Sequence, residues 1–248
     1  QMTEMDVAKI QSVSSAIMSN DGSYVVYTLS VPADPLKENK RASSKLYLYD
    51  VNSGSSRPLV TQGSVSGVAL RPGHNSITFL NKREGDDHTS LYELSLQGGE
   101  AQNIYSYTNS ISAYAWNHDG TKLLFSSRDK NESKSALPFE PTLYEQDLAF
   151  TRAYITTPGQ DAEVTKCAFD GHVVSADWSP DGNKIAGFIA KSSLVDDFYM
   201  TRKLQLVDAN SGAHLNTVSL EGKKGSFAWS PDSKNIAFIA GANINDPI

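Results

Sequence analysis

One short phrase recurs five times along this 248-residue chain and limits its fold more than any other feature. An apolar pair and a large residue run into a Ser/Asn-Pro/His-Asp-Gly turn, and an alternating or apolar strand follows. The clearest copies are Ala176-Asp177-Trp178-Ser179-Pro180-Asp181-Gly182 and Phe227-Ala228-Trp229-Ser230-Pro231-Asp232-Ser233. Tyr114-Ala115-Trp116-Asn117-His118-Asp119-Gly120 and Ala16-Ile17-Met18-Ser19-Asn20-Asp21-Gly22 repeat the grammar, and Val68-Ala69-Leu70-Arg71-Pro72-Gly73-His74 is a degraded copy. With Met18, Leu70, Trp116, Trp178 and Trp229 as anchors, the spacings are 52, 46, 62 and 51 residues. Self-similarity at a near-constant period means that one supersecondary unit is stacked repeatedly.

Each part of the phrase has a physical reading. Pro presets its own φ, Asp accepts backbone N–H bonds, and Gly supplies a positive φ, so the phrase turns the chain. An apolar strand follows in each copy, as in Tyr24-Val25-Val26-Tyr27 and Ile236-Ala237-Phe238-Ile239. A third strand ends in a polar turn, as in Leu46-Tyr47-Leu48-Tyr49-Asp50-Val51-Asn52-Ser53-Gly54 and Leu204-Gln205-Leu206-Val207-Asp208-Ala209-Asn210-Ser211-Gly212. Arg57-Pro58-Leu59-Val60 and His214-Leu215-Asn216-Thr217-Val218 read as a fourth. Four short antiparallel strands per repeat make a β-propeller blade. The expected fold is therefore all-β, a propeller of four-stranded blades with about four and a half blades present. Residues 1–16 form a short N-terminal helix and lead-in, and 17–248 form the partial propeller. Its repeats lie near 17–63, 64–109, 110–171, 172–222 and 223–248.

Trp116, Trp178 and Trp229 are expected as blade anchors filling the space between neighbouring blades, with Asp21, Asp119, Asp181 and Asp232 holding the turns. Thr3 to Gln11 reads as the helix, with Thr3 as N-cap and Asp6 three residues on. Two inserts interrupt the pattern, Pro32 to Ser44 in the first repeat and Arg128 to Thr157 in the third.

Composition removes several functions. Lys plus Arg is 22 against 28 for Asp plus Glu, a net charge of −6, which argues against a binder of phosphate backbones. Mean hydropathy is −0.37, and no apolar run approaches the roughly 18 residues of a membrane span. The one cysteine, Cys167, excludes an intrachain disulfide and a Cys-based zinc knuckle. The chain opens at Gln1, which reads as a processed or trimmed start.

No catalytic residue, metal site or cofactor is expected. Gly63-Ser64-Val65-Ser66-Gly67 puts Val65 where a nucleophile elbow needs its serine, so it reads as a loop. The five histidines show no metal spacing and read as solvated turn residues. Asp86-Asp87 and Asp196-Asp197 read as solvated carboxylate pairs, with a calcium or catalytic role as the sharper alternative. Asn131-Glu132-Ser133 is a glycosylation sequon, meaningful in a eukaryotic secretory protein.

The Trp-Ser-Pro-Asp-Gly turn, its apolar strand and the Leu-x-Leu-x-Asp-x-x-Ser-Gly strand resemble the propellers of TolB and of the prolyl oligopeptidase superfamily. The opening from Val7 to Gly22 is similar to the start of acylaminoacyl-peptidase-like and dipeptidyl-peptidase-like serine peptidases. That resemblance implies a propeller that gates an α/β-hydrolase domain carrying Ser, Asp and His, and the rest of the ring and that domain are expected beyond Ile248. The expected partners are this hydrolase domain of the same chain and short peptide substrates, with neither nucleic acid nor membrane. Exposed blade faces make the isolated piece prone to self-association. Dipeptidyl-peptidase-like members hold the substrate amine with a Glu-Glu pair, which does not occur here. Glu140 and Glu145 in the third insert are the single glutamates that could face substrate. Many members with such an opening are exported, which implies a periplasmic or secreted protein, with the cytoplasm as the alternative. The competing reading is a TolB-like protein-binding propeller without enzyme activity.

Overall fold

Among the described residues, strands pair only with their sequence neighbours, as expected of antiparallel meanders. The computed structural model describes residues 2–130, 145, 148–159, 162–219 and 222–243. It divides into two compact units, Gln1–Ser106 and Tyr107–Ile248.

The first unit opens with α1 (Glu4–Ala8), shorter than the expected Thr3–Gln11. Its capping box is complete. Asp6 N donates to Thr3 Oγ1 at 3.3 Å, and Thr3 N donates to Asp6 Oδ2 at 2.9 Å. No residue of α1 is fully buried, so little packing adds to the cap, and it ends after little more than a turn. The first meander is β1 (Ser12–Met18), β2 (Tyr24–Val31), β3 (Ser43–Asp50) and β4 (Ser55–Val60). Residues 12–16, assigned to the lead-in from sequence, are thus already strand. The second meander is β5 (Ser66–Leu70), β6 (Ser76–Asn81), β7 (Ser90–Ser95) and β8 (Gln102–Tyr105). Val26, Leu46 and Val60 of the first sheet share one core with Ile77, Phe79, Tyr92 and Leu94 of the second.

In the second unit the third meander is β9 (Ile111–Trp116), β10 (Leu123–Arg128), β11 (Thr151–Thr156) and β12 (Val164–Lys166). The fourth is β13 (His172–Trp178), β14 (Lys184–Ala190), β15 (Lys203–Asp208) and β16 (His214–Val218). A short helix, α2 (Val195–Met200), lies between β14 and β15. The last sheet is the hairpin of β17 (Lys224–Trp229) and β18 (Ile236–Ala240). Ile155, Cys167 and Phe169 of the third repeat form a core with Trp178, Ile185 and Val207 of the fourth. The opposite face of the fourth sheet, with Phe188 and Leu204, packs against Phe227, Trp229, Ile236 and Phe238. These four-stranded antiparallel meanders, with apolar residues on both faces of β14 and β15, are propeller blades.

Two regularities run through the blades. The first–second and third–fourth connections are short turns, and both fall at the same end of each four-stranded meander. The long second–third connections, 32–42, 82–89, 129–150 and 191–202, fall at the other end. Every first strand also carries one extra residue against its second strand, ahead of the anchor. The register slips at Val13/Ser15, Ser66/Ala69, Ser126/Ser127, Val173/Ser175 and Lys224/Phe227. Such a bulge sharpens the local twist and bends the strand.

Candidate functional site

Short local hydrogen bonds hold the turn aspartates that the sequence singles out. Asp21 Oδ1 accepts from Ser19 Oγ at 2.6 Å, Ser23 Oγ at 2.8 Å and Ser23 N at 3.1 Å. Asp181 Oδ1 accepts from Ser179 Oγ at 2.6 Å and Asn183 N at 3.0 Å, and Asp232 Oδ1 from Ser230 Oγ at 2.6 Å and Lys234 N at 3.1 Å. Asp119 does the same for Thr121, from both its N–H (2.9 Å) and its hydroxyl. These donors favour the ionised carboxylate. The Ser19 hydroxyl, then the Ser23 groups, bring Asp21 down to about 2, and the Ser179 hydroxyl leads the same fall to about 2 at Asp181. In all four, Oδ1 accepts only from its own turn, which is the work of a clamp.

The degraded copy solves the turn differently. Gly22, Gly120 and Gly182 take φ near 70° in the last place of the phrase, whereas in Arg71-Pro72-Gly73-His74 the positive φ of 71° moves to Gly73. Pro followed by a positive-φ Gly is a type II turn. Its acceptor comes from the neighbouring strand: Glu93 on β7 accepts from Ser76 Oγ at 2.5 Å and pairs with Arg71 at 2.8 Å.

The anchors are unequal. Trp178 is buried, and its Nε1 donates to Ala115 O of the third blade at 3.1 Å. Trp116 and Trp229 are half-buried, and Met18 is 62% exposed, so equal place in the repeat does not bring equal burial.

At the loop end of the third and fourth blades the structure gathers groups that the repeat did not reveal. Arg152 opens β11, where its Nε donates to Asp129 Oδ2 at 3.0 Å and its Nη1 to Gly171 O at 2.8 Å. Its guanidinium lies 4.6 Å from the Phe150 ring centre. His172 is half-buried rather than solvated, correcting the sequence reading. Its Nδ1 accepts the Thr151 N–H at 3.0 Å, so the neutral ring carries its proton on Nε2. Burial, then the charges of Arg128 and Arg152, hold its pKa below the ordinary value. His172 and Thr151 border an open cavity of about 400 Å³ together with Ser112, Tyr114, Ser175 and Phe198. Two of its walls are the first strands β9 and β13, where Ser112, Ala113 and Ser175 are exposed. The visible sequence signal for Arg152 was a charged residue at the head of the otherwise mostly apolar Ala153-Tyr154-Ile155; α2, which brings Phe198, gave none.

Other candidates resolve into structure. Asp86 Oδ2 accepts from Tyr92 Oη at 2.6 Å and Arg83 N at 2.8 Å, and Asp197 Oδ2 from Ser192 Oγ at 2.5 Å. Each of these carboxylates shapes its own loop. Glu145 is exposed with φ 60°, while Glu140 and the Asn131 sequon lie outside the described residues. Cys167 is buried, and burial raises its thiol to about 12, so it is a core residue. Thr217 Oγ1 lies 3.2 Å from His214 Nε2 on the exposed outer strand β16. Among the described residues no group of three His, Cys, Asp or Glu is placed to hold a metal, and no helix is long and apolar enough to cross a membrane.

No family model matches the chain. A stretch of 151 residues is 28% identical to the uncharacterized peptidase YuxL of Bacillus subtilis, covering 56% of this chain and 22% of that protein. The fold superposes on Pyrococcus horikoshii acylaminoacyl peptidase with a TM-score of 0.65 at 16% identity, over 90% of this chain and 34% of that one. It superposes on TolB from Acinetobacter baumannii with a TM-score of 0.55 at 17% identity, over 91% of this chain and 48% of that one. The chain thus spans about a fifth of its curated relative and about a third of the acylaminoacyl peptidase.

Proposed function

We propose that this chain is the non-catalytic propeller part of a serine exopeptidase or oligopeptidase of the acylaminoacyl-peptidase type, acting on short peptides. The observation that carries this reading is that sequence and fold point separately to peptidases, one through the YuxL stretch and the other through the acylaminoacyl peptidase superposition. In a propeller the first strand of each blade borders the central channel. Here β9 and β13 offer that channel small residues and the cavity beside His172 and Phe198. The long second–third connections stand at one end of each sheet, where loops most often carry function. In this reading the channel gates by size: it would admit an extended peptide and turn away a folded domain. Glu145, and with it Glu140, would then stand on the insert that meets the substrate's amino end. Acyl transfer belongs to a hydrolase domain with its own nucleophile and oxyanion hole.

The test is to read the gene past the codon for Ile248 and to assay both products with acetyl-alanyl p-nitroanilide. A downstream Gly-x-Ser-x-Gly domain, a longer protein that turns the substrate over and an inert 1–248 chain are expected. A reading frame that stops once the ring is complete sinks the peptidase reading. It would favour the TolB-like binding propeller, to which the TolB superposition lends support.

A further inference from the structure

In three of the four complete blades, the second and third strands carry a stacked aromatic pair at one matching place. Tyr27 lies on Tyr47 (ring centres 5.5 Å), Phe79 on Tyr92 (6.0 Å) and Phe125 on Tyr154 (5.2 Å). Each pair is directly opposite in register, one residue after a fully buried third-strand residue, Leu46, Leu91 or Ala153. In the fourth blade that place, next to the buried Leu204, holds Gly187 opposite Gln205. Two rings are missing from the face that meets the third blade.

Neighbouring atoms take up the place at Gly187, where a Cβ would lie 2.9 Å from Ser175 O and 3.3 Å from Ile189 Cδ1. Phe169, from the link between the blades, swings in until its Cζ lies 3.2 Å from where a Gly187 Cβ would stand. Gln205 takes hold of the same link: Asp170 N donates to its Oε1 at 2.9 Å, and its Nε2 donates to Asp170 O at 3.3 Å. Beside Gln205 and Ile189 lies an open cavity of about 530 Å³, within the range of small-molecule pockets. Strand alternation sets its lining. Lys203 and Gln205 share the face of β15 that turns to the third blade, opposite Ile189 and Gly187.

Its charge is one-sided. Arg152, Lys191 and Lys203 line it against the single carboxylate of Asp170. Asp129 holds Arg152 in place by its ion pair, and the Phe150 ring lies against the guanidinium. Lys191 and Lys203 form no salt bridge or side-chain hydrogen bond among the described residues. Phe150 and Ile189 give the cavity apolar wall, and Thr201 and Thr217 add hydroxyls. We infer that this cavity, beside the place of the missing aromatic pair, is a binding site for a small carboxylate with an apolar body, its carboxylate held by Lys191 and Lys203 and its body against Phe150 and Ile189. The site rests on the cavity alone and holds whether or not the propeller serves a peptidase.

The probe is 3-phenylpropionate, compared with neutral 3-phenylpropionamide, titrated into the 248-residue chain by residue-resolved NMR at low salt. The acid is expected to bind about tenfold more tightly than the amide, the worth of a charge-assisted hydrogen bond. Shifts should centre on the Gly171, Lys203 and Gln205 amides. The double variant Lys191→Gln/Lys203→Gln changes exposed side chains, and its fold is checked by thermal unfolding. It should lose the tenfold preference and keep the amide's weak binding. Equal binding of acid and amide, an unchanged preference in the folded double variant, or shifts mapping elsewhere would each overturn the site. Displacement of 3-phenylpropionate by equimolar inorganic phosphate would overturn the carboxylate-plus-apolar assignment.

Discussion

The two faces of the fourth blade meet the same anchor residue in different settings. On the face toward the third blade, Trp178 is 6% exposed, and its indole N–H is satisfied by Ala115 O. On the face toward the last hairpin, Trp229 is only half-buried, and its shielded Nε1 has no hydrogen-bond partner among the described residues. Backbones close in on the first face: Ala168 N donates to Gly212 O at 2.8 Å. The second face instead holds two cations. Lys224 is 2% exposed and donates to Gly222 O at 3.0 Å, while Arg202 donates to Lys224 O and stands 5.0 Å from the Phe198 ring centre. Burial first, and then the neighbouring Arg202 charge, lower the Lys224 pKa. The repeat supplies an aromatic surface, but the neighbouring blade decides what that surface is worth.

The largest expected effect sharpens this contrast. Trp178→Ala should cost about 3–5 kcal/mol in denaturant unfolding, because the void opens in a close-packed interface. Trp229→Ala should cost less than half of that. Phenylalanine separates area from hydrogen bonding: Trp178→Phe abandons the Ala115 carbonyl at about 1 kcal/mol, while Trp229→Phe removes an unsatisfied donor and should be near neutral. Equal losses at the two sites would break the comparison.

Two glycines give the next effect. Gly182 and Gly212 both have φ near 70°, yet a Cβ at Gly182 meets open space, while one at Gly212 would lie 2.5 Å from Lys166 O. Gly182→Ala should cost about 1 kcal/mol for the left-handed backbone alone. Gly212→Ala should cost clearly more, since the third blade's backbone must also give way. The difference is read from paired unfolding midpoints, and identical shifts would show that the blades can part freely at that point.

The smallest effect is on the acid limb. Asp181 titrates near 2 in the folded chain and near 3.8 once unfolded, so the unfolded state binds the extra proton as pH falls. Its contribution is complete above about pH 4 and disappears as pH drops toward 2. Asp181→Asn should lower stability slightly at pH 7 and lose less than wild type between pH 4 and 2. Asp232, lowered by the equivalent Ser230 and Lys234 donors, should behave alike, because the clamp belongs to the turn and not to the blade face. A wild-type acid limb in Asp181→Asn would show that the carboxylate does not hold this turn.

The turns were legible because their chemistry is local. Ser-Pro-Asp-Gly carries its donor, its acceptor and its positive-φ residue within a few positions, so Asp21, Asp119, Asp181 and Asp232 could be assigned before any fold was known. Ser233 shows the limit. It takes φ 59° where three other copies have glycine, and its Oγ accepts from Asp181 N at 3.0 Å. Reading that bond from sequence would need the blades already stacked. Met18 is a similar case: its place in the repeat marked an anchor, but its exposure depends on what lies against it. Arg152, His172 and Phe198 come together at the loop end from β11, β13 and α2, and no periodicity carries that information.

By itself, then, the sequence determined the repeating unit: four short strands, their order, the acidic clamps and the apolar strands between them. Those follow from φ preferences, hydrogen-bond partners a few residues apart and strict side-chain alternation, all of which act over a few residues. The tertiary structure decided the rest. It placed a bulge in every first strand, buried Trp178 more deeply than Trp229, and gathered Arg152, Lys191 and Lys203 around one cavity. Such outcomes depend on which surface a neighbouring sheet presents and how closely it approaches, so they arise only when residues far apart in the chain are pressed together.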